Sequence, residues 1–198
     1  MTDKHEGGAA PAVPLSGRHD VELVALAAAG GRAAFGELVR RHGSAVRGLL
    51  RRMGADAATA DDVAQDAFLV AFQRVAEFRG EGAYAGWVKR IAARLYLRRR
   101  KRSAREVLEA EPAAVEEASP HGEFDAARRM DLDEAMKTLS EAERLCVSLC
   151  FGAGLSHTEA AEALGTPLGT VKSHVKRGLD KLRSRLAPAA TDGSVVHG

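Results

Sequence analysis

GLSHTEAAEALGTPLGTVKSHVKRGLDKLRSR, Gly154 to Arg185, decides how this chain is read. Ser156 and Glu159 have the S-x-x-E spacing of a capping box, which satisfies free N–H groups at a helix start. Ala160, Ala161 and Leu164 then form a short apolar face. Gly165 falls just past a helix end, where positive φ costs a glycine little. Thr166 and Pro167 restart the chain as N-cap and first helical residue. Val171, Val175, Leu179 and Leu182 follow at spacings of four, four and three, which is one buried face. The remaining faces carry Lys172, Ser173, His174, Lys176, Arg177, Lys181, Arg183 and Arg185. Two short helices around a tight glycine turn, the second cationic, predict a helix-turn-helix that lays its second helix in a major groove. A run of charge is usually only a solvated face. The two caps, the turn and the charge together point to DNA.

Composition sets the frame around that stretch. The chain has 198 residues, 45% hydrophobic and only 5% aromatic, enough for one large domain or two small ones. Abundant Ala and Leu with few aromatics favour helices over sheets, and no strand alternation stands out. No apolar run follows the N-terminal charges, and no stretch approaches the ~18 apolar residues of a membrane span. The expectation is a cytoplasmic protein with no membrane insertion. The charge is distributed in blocks. Residues 20–102 hold 16 Lys/Arg against 9 Asp/Glu, net +7; residues 103–125 hold 1 against 7, net −6; residues 126–187 hold 10 against 8, net +2. Two basic blocks around an acidic connector suggest two modules that face nucleic acid.

Taken in order, residues 1–19 are rich in Gly, Ala and Pro and read as a disordered arm. Residues 20–102 read as the first helical domain. A helix over about 20–29 ends at Gly30 and Gly31. A second run over 32–53 has Phe35, Leu38, Val39, Val46, Leu49 and Leu50 as its core face, with Gly43 a point where it could bend or split. A third helix opens at Thr59 in a capping-box-like start with Asp62 and runs to about Phe78. The loop FRGEGAYA leads into a fourth helix, Gly86 to Arg102. Residues 103–125, broken by Pro112, Pro120 and Gly122, read as a flexible acidic linker. Residues 126–187 form the second helical domain, where Ser140 and Glu143 give another S-x-x-E start. Residues 188–198 read as a flexible tail. The fold class expected is all-α, two small helical domains joined by that linker.

Two surfaces in the first domain are candidate sites. Asp62, Gln65, Asp66 and Leu69 recur at i, i+3, i+4 and i+7 and share one stripe of the third helix. The stripe is either a solvated face with acids favouring the helix N-terminus or a surface for a partner protein. The fourth helix holds eight Lys/Arg and no acid between Lys89 and Arg102, a charge that attracts a polyanion by counterion release. Tyr84, Trp87 and Tyr96 lie among these cations, and single-stranded bases stack on such aromatic faces. Trp87 reads first as a core residue; Tyr84, on the glycine-flanked loop, is the better stacking candidate.

Other groups read as structure. Cys146 and Cys150, with His157 nearby, could be imagined as metal ligands, but structural zinc needs four ligands at tighter loop spacings. Their neighbours Leu145, Val147, Leu149 and Phe151 point instead to buried, reduced thiols. Asp61, Asp62 and Asp66 have no His or further acid close in sequence to complete a metal site. No P-loop or G-x-S-x-G is present, so neither an enzyme nor a cofactor is expected.

Three blocks together resemble a known family. Ala60 to Gln73, ADDVAQDAFLVAFQ, is similar to the region 2 helix of bacterial sigma-70-type RNA polymerase sigma factors of the extracytoplasmic-function group. Phe78 to Arg102, FRGEGAYAGWVKRIAARLYLRRRKR, resembles the loop and basic helix that follow it. Gly154 to Arg183 resembles the region 4 helix-turn-helix with its G-T-V-K-S centre. The resemblance implies that Asp62, Gln65, Asp66 and Leu69 meet the clamp helices of the polymerase β′ subunit within a core enzyme of β′ and β subunits. It implies that Arg79, Tyr84, Trp87, Lys89, Arg90, Arg94 and Arg98 serve recognition and melting of the −10 promoter element. Thr170, Lys172, Ser173, His174, Lys176 and Arg177 would read or hold the −35 element. An anti-sigma factor would hold the protein inactive until a signal arrives. The reading from another class is a self-sufficient DNA-binding regulator with residues 20–102 as a sensing or dimerising domain. The basic, aromatic-bearing helix at 84–102 discriminates against it, since a sensing domain does not need one.

Overall fold

The computed structural model describes residues 14–80, 82–109 and 126–186, and every regular element among them is helical. The order is α1 (Asp20–Ala28), α2 (Arg32–Arg52), α3 (Ala57–Gln73), α4 (Tyr84–Glu109), α5 (Ala126–Lys137), α6 (Glu141–Val147), α7 (His157–Leu164) and α8 (Leu168–Leu186). None is long and apolar enough to cross a membrane.

The first four helices share one core. Leu23 and Val24 of α1, Leu38, Val46, Leu49 and Leu50 of α2, Val63, Ala67 and Phe68 of α3, and Val88 and Ala92 of α4 are all buried. Phe35 packs edge-on against Phe68 and Phe72, with ring centroids 6.5 and 4.9 Å apart, the geometry aromatic quadrupoles favour. Gly43 neither bends nor splits α2, which is continuous and carries that glycine on its buried face.

Several boundaries differ from the sequence expectation. Helix α3 starts three residues earlier than the Thr59–Asp62 spacing suggests. Asp56 accepts from the Thr59 N–H at 2.7 Å and the Thr59 hydroxyl at 3.0 Å, so Asp56 is the N-cap and Thr59 lies in the first turn. The same helix stops at Gln73, and a 3-10 turn, Val75–Glu77, leads to the loop. Helix α4 runs through Ser103 to Glu109, into the stretch assigned to the linker; Ser-Ala-Arg-Glu are adequate helix formers despite their acidic neighbourhood. Finally, residues 14–19 are not a free arm. The Arg41 guanidinium donates to the carbonyls of Leu15, Ser16 and Arg18 at 2.7–3.0 Å and pairs with Asp20 and Glu37. Residues 1–13, 110–125 and 187–198, on which the rest of the arm, the rest of the linker and the tail fall, lie outside the described residues.

The second module is tied together by α8. Val171 and Val175 face the interior, while Leu182 joins Ala135, Met136, Leu139 and Val147 in a smaller cluster with α5 and α6. Gly178 lets α8 approach α6 closely, since a Cβ there would lie 2.7 Å from Val147 Cγ2. Helix α6 continues as a π turn over Ser148–Gly152, where the Ala153 N–H reaches the Ser148 carbonyl at 2.9 Å. This turn points Phe151 outward, 64% exposed, and sets Gly152 against Leu49 of α2.

The two modules are therefore in contact. Buried Leu145, Leu149 and Leu155 extend the first module's apolar core, and α7 packs against α4.

Candidate nucleic-acid interface

Helix α3 presents Asp62, Gln65, Asp66 and Leu69 together on one exposed face. Its opposite face, Val63, Ala67 and Phe68, is buried in the core, which fixes the stripe outward. Leu69 is 61% exposed. Asp62 faces Arg99 of α4 at 3.4 Å, with both side chains well exposed, so solvent screening leaves this pair weak. Phe72, one turn beyond Leu69, is 37% exposed. Its i+3 spacing from Leu69 is the signal that enlarges the apolar end of the stripe.

Helix α4 brings most of the expected cations to its surface. Arg90, Arg94 and Arg98 are exposed, as is Arg79 on the preceding loop, and Trp87 and Lys89 are half-buried. Burial, with Arg52 nearby, pushes the Lys89 ammonium below the usual lysine value. Tyr84 is a correction. It is the first residue of α4, not a loop residue, and its ring is 1% exposed. Phe78, Trp87 and His42 surround it at centroid distances of 5.5–5.7 Å. Burial raises its phenol above the usual range, and its hydroxyl has no hydrogen-bond partner among the described residues. A ring enclosed this way offers no face to a base. Tyr84 supports Trp87, which keeps the more accessible aromatic surface.

Helices α7 and α8 form the expected helix-turn-helix. Ser156 and Glu159 make a reciprocal capping box, with the Ser156 N–H donating to Glu159 Oε2 at 2.8 Å and the Glu159 N–H to Ser156 Oγ at 3.2 Å. Those bonds, the backbone N–H foremost, hold the Glu159 carboxyl below its ordinary value. Gly165 is left-handed at φ 68°, ψ 36°, and the Thr166 N–H closes the turn on the Ala161 carbonyl at 3.0 Å. Helix α8 proper begins at Leu168, one residue later than read, with the Pro167 carbonyl accepting from Thr170 and Val171.

Thr170, Lys172, Ser173, Lys176 and Arg177 are exposed on α8, and His174 is half-buried. Three of them, Ser173, His174 and Arg177, have intramolecular partners. The Ser173 hydroxyl donates to the Gly169 carbonyl at 2.9 Å, and Arg177 Nη2 lies 3.0 Å from His174 Nδ1. Behind this surface, Glu143 is buried, 4% exposed. It accepts from the Lys181 ammonium at 2.7 Å and from the Ser140 N–H at 3.0 Å, with Arg177 Nε at 3.6 Å. The Lys181 hydrogen bond above all pulls its carboxyl below the ordinary value. Glu143 was read only as a cap; its second role as the anchor of α8 depends on residues far along the chain.

Cys146 is buried and Cys150 half-buried, both free. Burial, with Cys150 adding to it, pushes the Cys146 thiol up to about 11, which makes it a poor nucleophile and ligand. Among the described residues no group of three or more His, Cys, Asp or Glu gathers as a metal site would require.

Known proteins share this arrangement. The model of "Sigma-70 region 2" matches residues 38–106, and that of "Sigma-70, region 4" matches residues 135–184. The ECF RNA polymerase sigma factor SigE of Mycolicibacterium smegmatis is 35% identical over 162 residues; the match covers 79% of this chain but 63% of SigE, so the chain spans somewhat under two thirds of that relative. The RNA polymerase sigma factor NccH of Alcaligenes xylosoxydans xylosoxydans is 34% identical over 175 residues, 84% of this chain and 94% of NccH. Among solved structures, the sigma factor RpoE of Bartonella quintana, crystallised with the anti-sigma factor NepR, superimposes with a TM-score of 0.55 at 24% identity, covering 77% of this chain and 96% of that one. At that identity the likeness is one of fold.

Proposed function

The chain belongs to the extracytoplasmic-function group of sigma-70 factors, and from that premise we propose how its surfaces divide the work of promoter-specific initiation. Asp62, Gln65, Asp66 and Leu69 dock on the β′ clamp helices of core polymerase. Arg79, Trp87, Lys89, Arg90, Arg94 and Arg98 hold the −10 element, with phosphate contacts to the arginines and one unstacked base against Trp87. Tyr84 acts from beneath that site as a positioning residue. Thr170, Lys172, Ser173, His174, Lys176 and Arg177 engage the −35 element in the major groove. Phosphate contacts set register and a few side chains read bases. Melting costs a few kcal/mol per unstacked base, which the protein surface must offset. No covalent chemistry belongs to the chain; it acts in the cytoplasm, with the polymerase. An anti-sigma partner, such as RpoE has in NepR, is part of the same reading.

The observation that carries this reading is Leu69, a large apolar side chain 61% exposed at the end of a polar stripe. Phe72, three residues on and 37% exposed, extends it into an apolar patch at the end of the helix, the kind of surface a protein partner covers. The test is to mix the purified chain with core polymerase and score promoter-dependent transcripts. A chain that binds duplex DNA tightly alone and never alters initiation would be a self-sufficient regulator instead.

A further inference from the structure

Arg177 is the one cation of the α8 surface that other side chains hold along an edge. Its Nη2 donates to His174 Nδ1 at 3.0 Å, and its Nε lies 3.6 Å from Glu143 Oε1. A guanidinium has only donors, so Nδ1 is the acceptor and the imidazole is neutral, with its hydrogen on Nε2. Glu143 is itself fixed, because its other oxygen takes the Lys181 ammonium at 2.7 Å and the Ser140 N–H at 3.0 Å. Nε and Nη2 share one edge of the planar guanidinium, and that edge is occupied. The end of the fork, Nη1 with the second Nη2 hydrogen, has no intramolecular partner among the described residues, and the side chain is exposed. Thr170, Ser173, His174 and Arg177 recur at i, i+3, i+4 and i+7, a single stripe of α8 that leaves out buried Val171 and Val175. Lys172 and Lys176 are exposed beside it.

We infer that Arg177 reads a guanine of the upstream element end-on, through O6 and N7, and that His174 and Glu143 are positioning residues that hold its fork for that contact. The inference deepens the assignment of α8 to the −35 element and rests on it. In the major groove only guanine sets two acceptors side by side on one base, which is the match for an arginine fork. Adenine pairs its N7 acceptor with a donor, so the same fork meets a mismatch there. Long side chains lose rotamer freedom when they bind, and Arg177 has given up much of it before DNA arrives. A side chain fixed along one edge also cannot swing out to follow the backbone. Lys172 and Lys176 can, which suits them to phosphates.

The test uses the full chain assembled with core polymerase. It selects from duplexes randomised through the upstream and downstream promoter windows, and the bound DNA is sequenced. Wild type should enrich an upstream guanine that Arg177→Ala no longer enriches. Replacing that guanine by 7-deazaguanine removes N7, and should weaken wild-type binding about tenfold while changing Arg177→Ala by less than about twofold. His174→Asn keeps an acceptor where Nδ1 stood, so the ratio of guanine to 7-deazaguanine affinity should survive. His174→Gln carries its amide to the Nε2 position instead, and the ratio should fall about fivefold. A variant that had only lost stability would weaken both duplexes alike and leave the ratio unmoved. Equal ratios for His174→Asn and His174→Gln would overturn the positioning role. An enriched upstream block with no guanine that depends on Arg177 would overturn the base contact and leave the promoter assignment standing, whereas no upstream block at all would overturn both.

Discussion

Leu69→Ala isolates the stripe proposed to dock on core polymerase. Fully burying a leucine side chain is worth about 1.5–3 kcal/mol, and Leu69 has 61% of its surface still exposed. A partner that covers it therefore gains about 1–2 kcal/mol, most of which truncation to alanine removes. That corresponds to a five- to tenfold weaker Kd for core polymerase. In the free chain the same change touches almost nothing, so stability should stay within about 0.5 kcal/mol. Leu149→Ala is the contrasting control: Leu149 is 0% exposed, and its truncation should cost about 2–5 kcal/mol of stability. The assay is an equilibrium titration of labelled core polymerase beside a urea titration of each free variant. The reasoning fails if Leu69→Ala leaves Kd within twofold of wild type, or if it lowers stability as Leu149→Ala does.

Three further outcomes follow from local geometry. Gly165→Ala places a Cβ at φ 68° and should lower the stability of the chain by about 1 kcal/mol in a urea titration. Glu143→Gln should destabilise at neutral pH: the folded carboxyl is depressed by Lys181 and the Ser140 N–H, so its stabilisation is present above the unfolded value near ~4 and lost as pH falls through the folded one. Melting curves of the two proteins should therefore converge in acid, and a constant gap would contradict the ion-pair account. Arg41→Ala removes the donor shared by the Leu15, Ser16 and Arg18 carbonyls; amide exchange of residues 15–20 should accelerate while that of α8 stays unchanged.

The parts legible in the sequence were the ones decided within a few residues. The Ser140 and Ser156 caps and the Gly165 turn each depend on side chains three to five positions apart, and all formed as read. The Thr59 cap did not, because Asp56 offers the same N–H a stronger acceptor one turn earlier. The end of α4 is hard to read because the acidic composition after Arg102 resembles a linker while its residues have the propensity to continue the helix to Glu109. Tyr84 was misplaced because its burial depends on His42, Phe78 and Trp87 closing around it, and only the folded chain brings His42 there. The polar contacts between the two modules, such as Arg100 with Glu141 and Arg52 with Asp133, join residues 41–81 positions apart, a separation at which no spacing rule operates.

The π turn at Ser148–Gly152 has a consequence for insertions and deletions. It holds one residue more than an α turn would, and each residue rotates the following helix face by ~100°. Deleting one residue there would give α6 a regular last turn and a sounder local hydrogen-bond ladder. It would also swing Phe151 toward the interior and carry Gly152 away from Leu49, so the smooth version of this helix would be the one that no longer fits its neighbour.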